Sequence, residues 1–270
     1  MSDEINKIEL NYRFHYENWQ TQESQESDIE YYVHYLERHN MTYLPKNSKI
    51  LEIGCATGNL ILALQRLGYT NIQGIDVDRK QQITCKERGL NVTRASALEF
   101  LKEDNKDFDV VFMLDVLEHM PKPEQLETLK EIWHAMKDSG ILMLSVPNAL
   151  APLSHYFENI DWTHYCAFSP TSLGFVLKNA GFSDYTLRPT HQEPCELRAR
   201  KKLWIDLYAA EFGIKDPIMT PSIVAICFKN KDIYNSYIET APDLMQNQKQ
   251  KIALFSYIKK TINKIVRKNG

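Results

Sequence analysis

The sequence predicts an α/β fold in which helices cover both faces of a mostly parallel sheet. Short apolar runs alternate with stretches of helical periodicity from residue 45 onward. The first apolar run ends in a turn that contains two glycines, and an acidic residue closes the second run. Alternation of this kind is typical of a parallel sheet, whose ligands bind at the carboxyl ends of the strands.

The elements follow one another in a regular order. Apolar and aromatic residues at three-to-four spacing after Asp28, an expected N-cap, predict a helix over 28–40. Short β-favouring runs predict seven strands, over 49–53, 72–76, 91–93, 108–114, 141–146, 185–189 and 222–228. Apolar spacing predicts further helices over 60–67, over 170–180 with a stop at Gly181, and over 196–212.

Composition excludes several classes of protein. With 270 residues, 43% of them hydrophobic and 25% charged, the chain is neither disordered nor collagen-like. Its five cysteines are widely spaced and form no C-x-x-C pair, which argues against a zinc or redox centre and favours a reducing compartment. The acidic, polar start lacks the features of a signal peptide, and no run of 18 apolar residues occurs, so we expect a cytoplasmic protein.

The charge pattern divides the chain into three parts. We expect an N-terminal arm and helix over 1–44, a central domain over 45–230 and a basic amphipathic extension over 231–270. The net charge is −3, but seven basic residues and no acidic one follow residue 248, so the preceding residues carry −10. Apolar residues at helical spacing within 249–268 predict peripheral contact with an anionic membrane or with a biosynthetic partner protein. The acidic body argues against nucleic acid as a partner.

The turn from Glu52 to Asn59 is the most informative motif. Glycines at 54 and 58 allow a tight turn and close approach of a ligand to the backbone. Ala56 stands where the dinucleotide fingerprint has its second glycine, so the turn does not match a pyrophosphate site. Asp76 closes the next strand 18 residues after Gly58, where a carboxylate can bind both ribose hydroxyls. These features favour a nucleoside-type cofactor over NAD.

The chain resembles the class I S-adenosylmethionine-dependent methyltransferases in three motifs. These are the segments 52–58, 74–78 and 108–119, the last of which is similar to the branch that includes ubiquinone-type O-methyltransferases. The resemblance implies a Rossmann-like, seven-stranded methyltransferase domain and S-adenosylmethionine as the cofactor. It also implies a cofactor site, whose expected residues are Glu52, Gly54, Cys55, Ala56, Gly58, Asp76, Val77, Ser96, Ala97, Leu114 and Asp115.

Within that site, Asp76 is expected to bind the ribose and Val77 to pack on adenine. Glu52 either organises the turn or contacts the cofactor directly, and Cys55 is interpreted as a small residue that fills the turn. Ser96 and Ala97 stand where the family often has an acid near adenine. His119 either lies over the cofactor or begins a helix before Pro121, and Tyr12 and Tyr16 are candidates for a lid over the cofactor.

The segments 148–168 and 191–221 are the expected acceptor-binding elements, because loops at the carboxyl edge of a parallel sheet commonly carry function. His164 is the candidate base for removing the acceptor proton, with Asp161 as its orienting group and His155 as a further candidate. The alternative is that His164 is a structural histidine. No ligand spacing predicts a metal.

The pattern Asp161-x-x-His164 followed by Phe168-Ser169-Pro170 resembles methyltransferases of glycan and surface-polysaccharide biosynthesis. We therefore expect methylation of an oxygen of a sugar or glycan acceptor, by a cytoplasmic enzyme at the inner face of the membrane. Two alternatives stay open: a quinone or other small-molecule O-methyltransferase, and a non-catalytic scaffold that binds the cofactor.

Overall fold

The computed structural model describes residues 22–103, 106–191, 199–200, 213 and 217–241. Within them, seven strands form one sheet in the order β3-β2-β1-β4-β5-β7-β6. Strand β7 is antiparallel to both of its neighbours, and the other pairs are parallel. The strands are β1 (Ile50–Ile53), β2 (Ile72–Asp76), β3 (Val92–Arg94), β4 (Phe108–Leu114), β5 (Met136–Pro147), β6 (Asp184–Pro189) and β7 (Ser222–Phe228).

Helices cover both faces of the sheet, as the alternation of apolar runs predicts. They are α1 (Gln22–Arg38), α2 (Asn59–Arg66), α3 (Arg79–Glu87), α4 (Ala97–Lys102), α5 (Lys122–Ala135), α6 (Ser154–Asn159), α7 (Pro170–Ala180) and α8 (Lys231–Thr240), with a 3-10 turn at Leu117–His119. One apolar core joins α4, α5 and α7 to the sheet, and a second joins α1, α2, α3 and α8 to its other face. The predicted mostly parallel, two-faced fold is confirmed.

Two elements begin earlier than the sequence predicts. Helix α1 starts at Gln22 and not at Asp28, so the N-cap interpretation of Asp28 is wrong; the Asp28 carboxylate accepts a bond from the Asn59 side chain at 3.4 Å. Strand β5 starts at Met136 and not at 141, because its first residue pairs with Phe108 across a register irregularity in the sheet. The earlier start of β5 arises from pairing with a strand distant in sequence.

The C-terminal part of the described chain packs on the body of the domain. Asn230 caps α8, and Tyr237, buried in that helix, donates its hydroxyl to the backbone oxygen of His39 at 2.7 Å. The first ten residues of the expected extension therefore lie against the core, while the basic segment 249–268 and most of the predicted helix over 196–212 are outside the described residues. In the described part, no helix has the length and apolar character that crossing a membrane requires.

Candidate active site

The turn after β1 has the backbone conformation that its glycines predict. Gly54 and Gly58 have φ of 72° and 81°, and Ala56 between them has φ of 44°. A Cβ at Gly54 would collide with the Val116 side chain, so glycine is required there for two reasons. The amides of Gly54 and Cys55 donate to the Ile75 oxygen at 2.8 and 3.0 Å, which ties the turn to the end of β2.

Asp76 lies at the carboxyl end of β2, facing this turn. Its Oδ2 accepts from the Ala56 amide at 2.8 Å, and its Oδ1 accepts from the Asp78 amide at 2.8 Å. Burial raises the pKa of Asp76, and these two hydrogen bonds partly oppose the shift. Each carboxylate oxygen keeps a second lone pair, so Asp76 can hold the turn and accept hydrogen bonds from a ribose diol at once.

The expected adenine contacts flank Asp76. Val77, directly after Asp76, is 57% exposed. Ser96 caps α4: its hydroxyl accepts from the Glu99 amide at 3.2 Å, so this oxygen is already engaged by the helix. Ala97 is buried in the core directly after it. Of the three expected adenine contacts, Val77 is therefore the side chain that stays available to a ligand.

Glu52 and Cys55 lie beneath the turn. Glu52 is buried, its Oε2 has no hydrogen-bond partner among the described residues, and burial raises its pKa well above the usual range. Cys55 is also buried, and a hydrogen bond with the Cys85 thiol together with burial raises the pKa of the Cys55 thiol. A protonated, enclosed thiol suits a residue that fills the turn and not a nucleophile.

Leu114 and Asp115 end β4 at the same edge of the sheet. Asp115 has φ of 53°, a strained conformation for a residue other than glycine. Its side chain reaches the surface of the crevice, but the surrounding protein desolvates the carboxyl group and raises its pKa, an effect that a hydrogen bond with Ser145 opposes. The strain and the exposed acid mark this strand end as a functional position.

Beside Asp115 lies a cavity of about 260 Å³, which we call the tyrosine pocket. Six of the residues that line it are Tyr31, Tyr32, Tyr35, Leu114, Asp115 and Ser145. Helix α1 supplies the tyrosines, and the ends of β4 and β5 supply the other three residues. The sequence predicted the tyrosines of α1 only as part of a helix.

A second group, the Glu118 cluster, consists of Glu118, His119 and His164. One ligand atom from each of the three lies within 4.8 Å of the other two. Glu118 is fully buried, and neither of its carboxylate oxygens has a hydrogen-bond partner among the described residues. Burial raises the pKa of Glu118 well above its usual range, and the charge of Asp115 makes the second-largest contribution in the same direction. A buried carboxylate without partners is costly unless it is protonated or meets a cation.

Neighbouring groups set the orientation of both imidazoles. His164 Nδ1 lies 3.0 Å from the Glu158 backbone oxygen, which only accepts, so the ring proton is on Nδ1 and Nε2 carries the lone pair. His119 Nδ1 lies 2.7 Å from Thr163 Oγ1, and that hydroxyl donates to Asp161 at 2.6 Å. His119 therefore also donates from Nδ1. Imidazoles held in this way are typical of metal ligands.

The structure distributes the expected catalytic residues differently from the prediction. Asp161 acts through Thr163 on His119, whereas the backbone of Glu158 orients the ring of His164. His155 is 96% exposed and lies 3.8 Å from Glu158, away from the Glu118 cluster. Tyr12, Tyr16 and most of 191–221 fall outside the described residues.

Glu118 is the functional residue that the sequence analysis passed over. The available signal was the spacing Asp115-x-x-Glu118-His119 directly after a strand, which places two acids and an imidazole on one turn. The third member of the Glu118 cluster, His164, follows 45 residues after His119, so no local spacing indicates the cluster. The rings of His119 and His164 meet edge to face with centroids 4.6 Å apart.

The described residues fit S-adenosylmethionine. The positive-φ turn places exposed backbone conformations typical of a ligand-binding loop at the end of β1, Asp76 can accept from a ribose, and exposed Val77 offers an apolar surface to adenine. The position at which the dinucleotide fingerprint has its second glycine, next to the pyrophosphate, holds Ala56. This fold and this site define a class I S-adenosylmethionine-dependent methyltransferase.

Comparisons with known proteins agree. A family model described as a methyltransferase domain matches residues 24–187. The ubiquinone biosynthesis O-methyltransferase of Glaesserella parasuis serovar 5 is 28% identical over 113 residues, covering 38% of this chain and 47% of that protein. The protein of the same name from Xanthomonas axonopodis pv. citri is 29% identical over 188 residues, covering 63% of this chain and 77% of that protein. This chain thus spans about half the length of the first of these relatives.

Among solved structures, a SAM-dependent methyltransferase from Archaeoglobus fulgidus has a TM-score of 0.60 at 20% identity, covering 81% of this chain and 99% of that one. This likeness supports the fold. Because the family match extends over more than half of the chain, the chain belongs to the methyltransferase-domain family, and S-adenosylmethionine is the cofactor of its class.

Proposed function

We propose that this chain is an O-methyltransferase that acts on the hydroxyl group of a small ring acceptor of the quinone-precursor type, with a divalent cation at the Glu118 cluster. The observation that carries this proposal is the buried, unpartnered carboxylate of Glu118 beside His119 and His164, next to the strained end of β4. The names of the two relatives support the acceptor class, and none of the comparisons described above supports the glycan acceptor that the sequence suggested.

Each part of the site has a separate task. The turn over 54–58 and Asp76 hold S-adenosylmethionine, which supplies an electrophilic methyl group when it is bound. Glu118, His119 and His164 would hold the cation, which would supply Lewis-acid polarisation to an acceptor hydroxyl beside it. The Asp115 carboxylate accepts a hydrogen bond from that hydroxyl and takes its proton as the new carbon–oxygen bond forms. The main demand on the protein is alignment of the reacting atoms, because the transfer is an in-line displacement.

The nature of the ligands indicates which cation the cluster prefers. Two imidazole nitrogens and one carboxylate suit Mn²⁺ or Zn²⁺ better than Mg²⁺, which prefers oxygen ligands and retains its water. In this scheme His164 binds the cation and is not the base that the sequence suggested. Its Nε2 lone pair serves either role, so a binding measurement has to separate them.

The test combines metal binding with turnover. Titration of chelator-treated protein with Mn²⁺, followed by calorimetry, should show one site that Glu118→Gln and His164→Ala each weaken at least tenfold. Methylation of 3,4-dihydroxybenzoate, followed as S-adenosylhomocysteine release, should stop with chelator and return with Mn²⁺. Glu87→Gln, which changes an exposed glutamate of α3, serves as the matched control and should behave as wild type.

Other results would count against the proposal. If His164→Ala abolishes turnover but binds Mn²⁺ normally, His164 is the base and the cation assignment fails. If the enzyme methylates an oligosaccharide and not the catechol, the glycan expectation is correct. Tight binding of S-adenosylhomocysteine with no product from either acceptor would favour the scaffold.

A further inference from the structure

The tyrosine pocket lies on the opposite side of β4 from the expected cofactor contacts. The turn over 54–58 and Asp76 are at the ends of β1 and β2, whereas the pocket is lined from the ends of β4, β5 and β6 and the start of β7. In the sheet order, β1 and β5 are the two neighbours of β4. The two sites share Leu114 and Asp115, where a group in the pocket faces a methyl donor bound over β1 and β2. Tyr32 of the pocket also lies near Glu52, whose charge adds to burial in raising the pKa of Tyr32.

The wall of the pocket is aromatic. The Tyr31 and Tyr35 rings are nearly parallel, with centroids 5.8 Å apart, and the Tyr32 ring meets the Tyr31 ring edge to face at 5.5 Å. Tyr31 is 50% exposed, whereas Tyr35 is buried. An exposed ring backed by buried rings offers a rigid, flat surface on which another ring can stack.

The floor of the pocket is polar. Ser145 has side-chain hydrogen bonds with both Asp115 and Tyr35, so the three groups form one network at the ends of β4 and β5. The Asp115 carboxylate is also close to the Glu118 cluster, because its charge adds to burial in raising the pKa of Glu118, and His164 in turn opposes the upward shift of the Asp115 pKa. A hydroxyl group that reaches this floor is therefore placed between the pocket and the Glu118 cluster.

We propose that the tyrosine pocket binds the acceptor, and that it selects a planar ring with adjacent hydroxyl groups. This proposal rests on the proposed function and names the residues that recognise its substrate. The volume of about 260 Å³ holds one six-membered ring with its substituents. The flat wall stacks on the ring, while Asp115 and Ser145 hydrogen-bond its hydroxyls. Recognition of the ring thus comes from α1, from the ends of β4 and β5 and, within the predicted element 191–221, from His191 and Pro221. The predicted element 148–168 contributes His164 of the Glu118 cluster.

The experiment compares three tyrosine variants. Tyr31→Ala removes the half-exposed wall, Tyr31→Phe keeps the ring and removes the hydroxyl, and Tyr43→Ala changes a tyrosine that is 82% exposed outside the pocket. For each protein, calorimetry measures the affinity for S-adenosylhomocysteine and then, on the saturated protein, for 3,4-dihydroxybenzoate. Kinetics give kcat and KM for the same catechol, and methyl α-glucoside serves as a non-planar diol.

We expect Tyr31→Ala to weaken catechol binding and to raise its KM about tenfold, the effect of losing one aromatic stacking contact of about 1.4 kcal/mol. Its affinity for S-adenosylhomocysteine should stay within twofold of wild type. Tyr43→Ala should match wild type in both measurements, and Tyr31→Phe, which keeps the ring, should recover most of the catechol affinity that Tyr31→Ala loses. Methyl α-glucoside should bind at least tenfold more weakly than the catechol.

Several outcomes would overturn the assignment. If Tyr31→Ala weakens S-adenosylhomocysteine and leaves the catechol unaffected, the pocket belongs to the cofactor. If wild type does not bind the catechol, or binds the glucoside equally well, the pocket does not select a planar ring. Failure of the proposed function looks different: the catechol binds in a Tyr31-dependent manner, but no methyl group is transferred.

Discussion

Asp76 can have two tasks in the proposed site, because each of its two carboxylate oxygens can accept two hydrogen bonds. Its carboxylate accepts from the amides of Ala56 and Asp78, which leaves a lone pair on each oxygen for the ribose that we propose it binds. In that role the residue would couple the shape of the turn to the recognition of the nucleoside. Gly54 has a comparable role for the backbone, since its φ and the nearby Val116 side chain both require the absence of a Cβ.

At Asp76 we predict a loss of cofactor affinity. Asp76→Asn should weaken S-adenosylhomocysteine at least tenfold, because the amide has one oxygen in place of two and loses charge-assisted hydrogen bonds worth about 1.5–3 kcal/mol each. Calorimetric titration measures the change. Asp78→Ala is the control: it removes the acid that accepts from the Lys80 amide at the start of α3, and should lower stability by about 1 kcal/mol with affinity unchanged. Equal affinity of Asp76→Asn and wild type would remove Asp76 from the ribose site.

At the scale of the elements, α8 depends on a side chain just before its first residue. Asn230 accepts from the amides of Asp232 at 2.8 Å and Ile233 at 3.2 Å, which satisfies two of the donors that a helix start leaves open. The helix then buries Tyr237 against the second core. A short helix of this kind is stable because of its cap and its packing, and not because of its propensity alone.

We predict that Asn230→Ala lowers the free energy of unfolding by about 1 kcal/mol. Chemical denaturation of the variant and wild type measures the difference. Asn235→Ala is the matched control, because Asn235 is an exposed residue inside the same helix and alanine favours helix there. Its stability should equal or slightly exceed that of wild type. Equal stability of Asn230→Ala and wild type would show that the cap does not contribute to folding.

At the scale of the whole molecule, one interior histidine connects the first described helix to the last. His39, just after α1, is fully buried, and its backbone oxygen accepts from Tyr237 of α8. Burial lowers the pKa of His39 to about 3, and the charges of Arg188 and Arg38 act in the same direction. The folded protein therefore requires a neutral imidazole at this position.

The pH dependence follows from that depressed pKa. In the unfolded chain, His39 takes up a proton near pH 6.5, whereas in the folded protein it does so only near pH 3. Its stabilising contribution is complete above about pH 6.5 and declines below that, by up to about 1.4 kcal/mol for each pH unit. His39→Leu removes this term. Denaturant titrations at pH 7.5 and pH 5 measure the free energy of unfolding of wild type and His39→Leu. Between pH 7.5 and pH 5, the difference between the two proteins should shift in favour of the variant. A gap independent of pH would contradict the assignment.

Much of the fold and the cofactor side of the site follow from local patterns. Six of the seven predicted strands agree with the structure within one residue at each end, because period and β-propensity are properties of a few neighbouring residues. The turn after β1 is predictable for the same reason, since glycines at 54 and 58 indicate directly where the backbone has a positive φ. Where prediction fails at the start of β5, pairing across the sheet decides the boundary. Asp28, which was expected to cap a helix, lies inside α1 and accepts from a side chain of α2.

The sequence by itself therefore determined the α/β fold and the class of cofactor, and it predicted Asp76 as the acid for the ribose. Only the tertiary structure brought His164 to Glu118 and His119, and placed the tyrosines of α1 over Asp115 and Ser145. The physical reason is the range of the interactions involved. Helix and strand periodicity act over a few residues, whereas the Glu118 cluster joins segments 45 residues apart and the tyrosine pocket joins α1 to strands that follow about 80 to 110 residues later. The packing of helices on the sheet decides these long-range contacts, and no local sequence pattern predicts them.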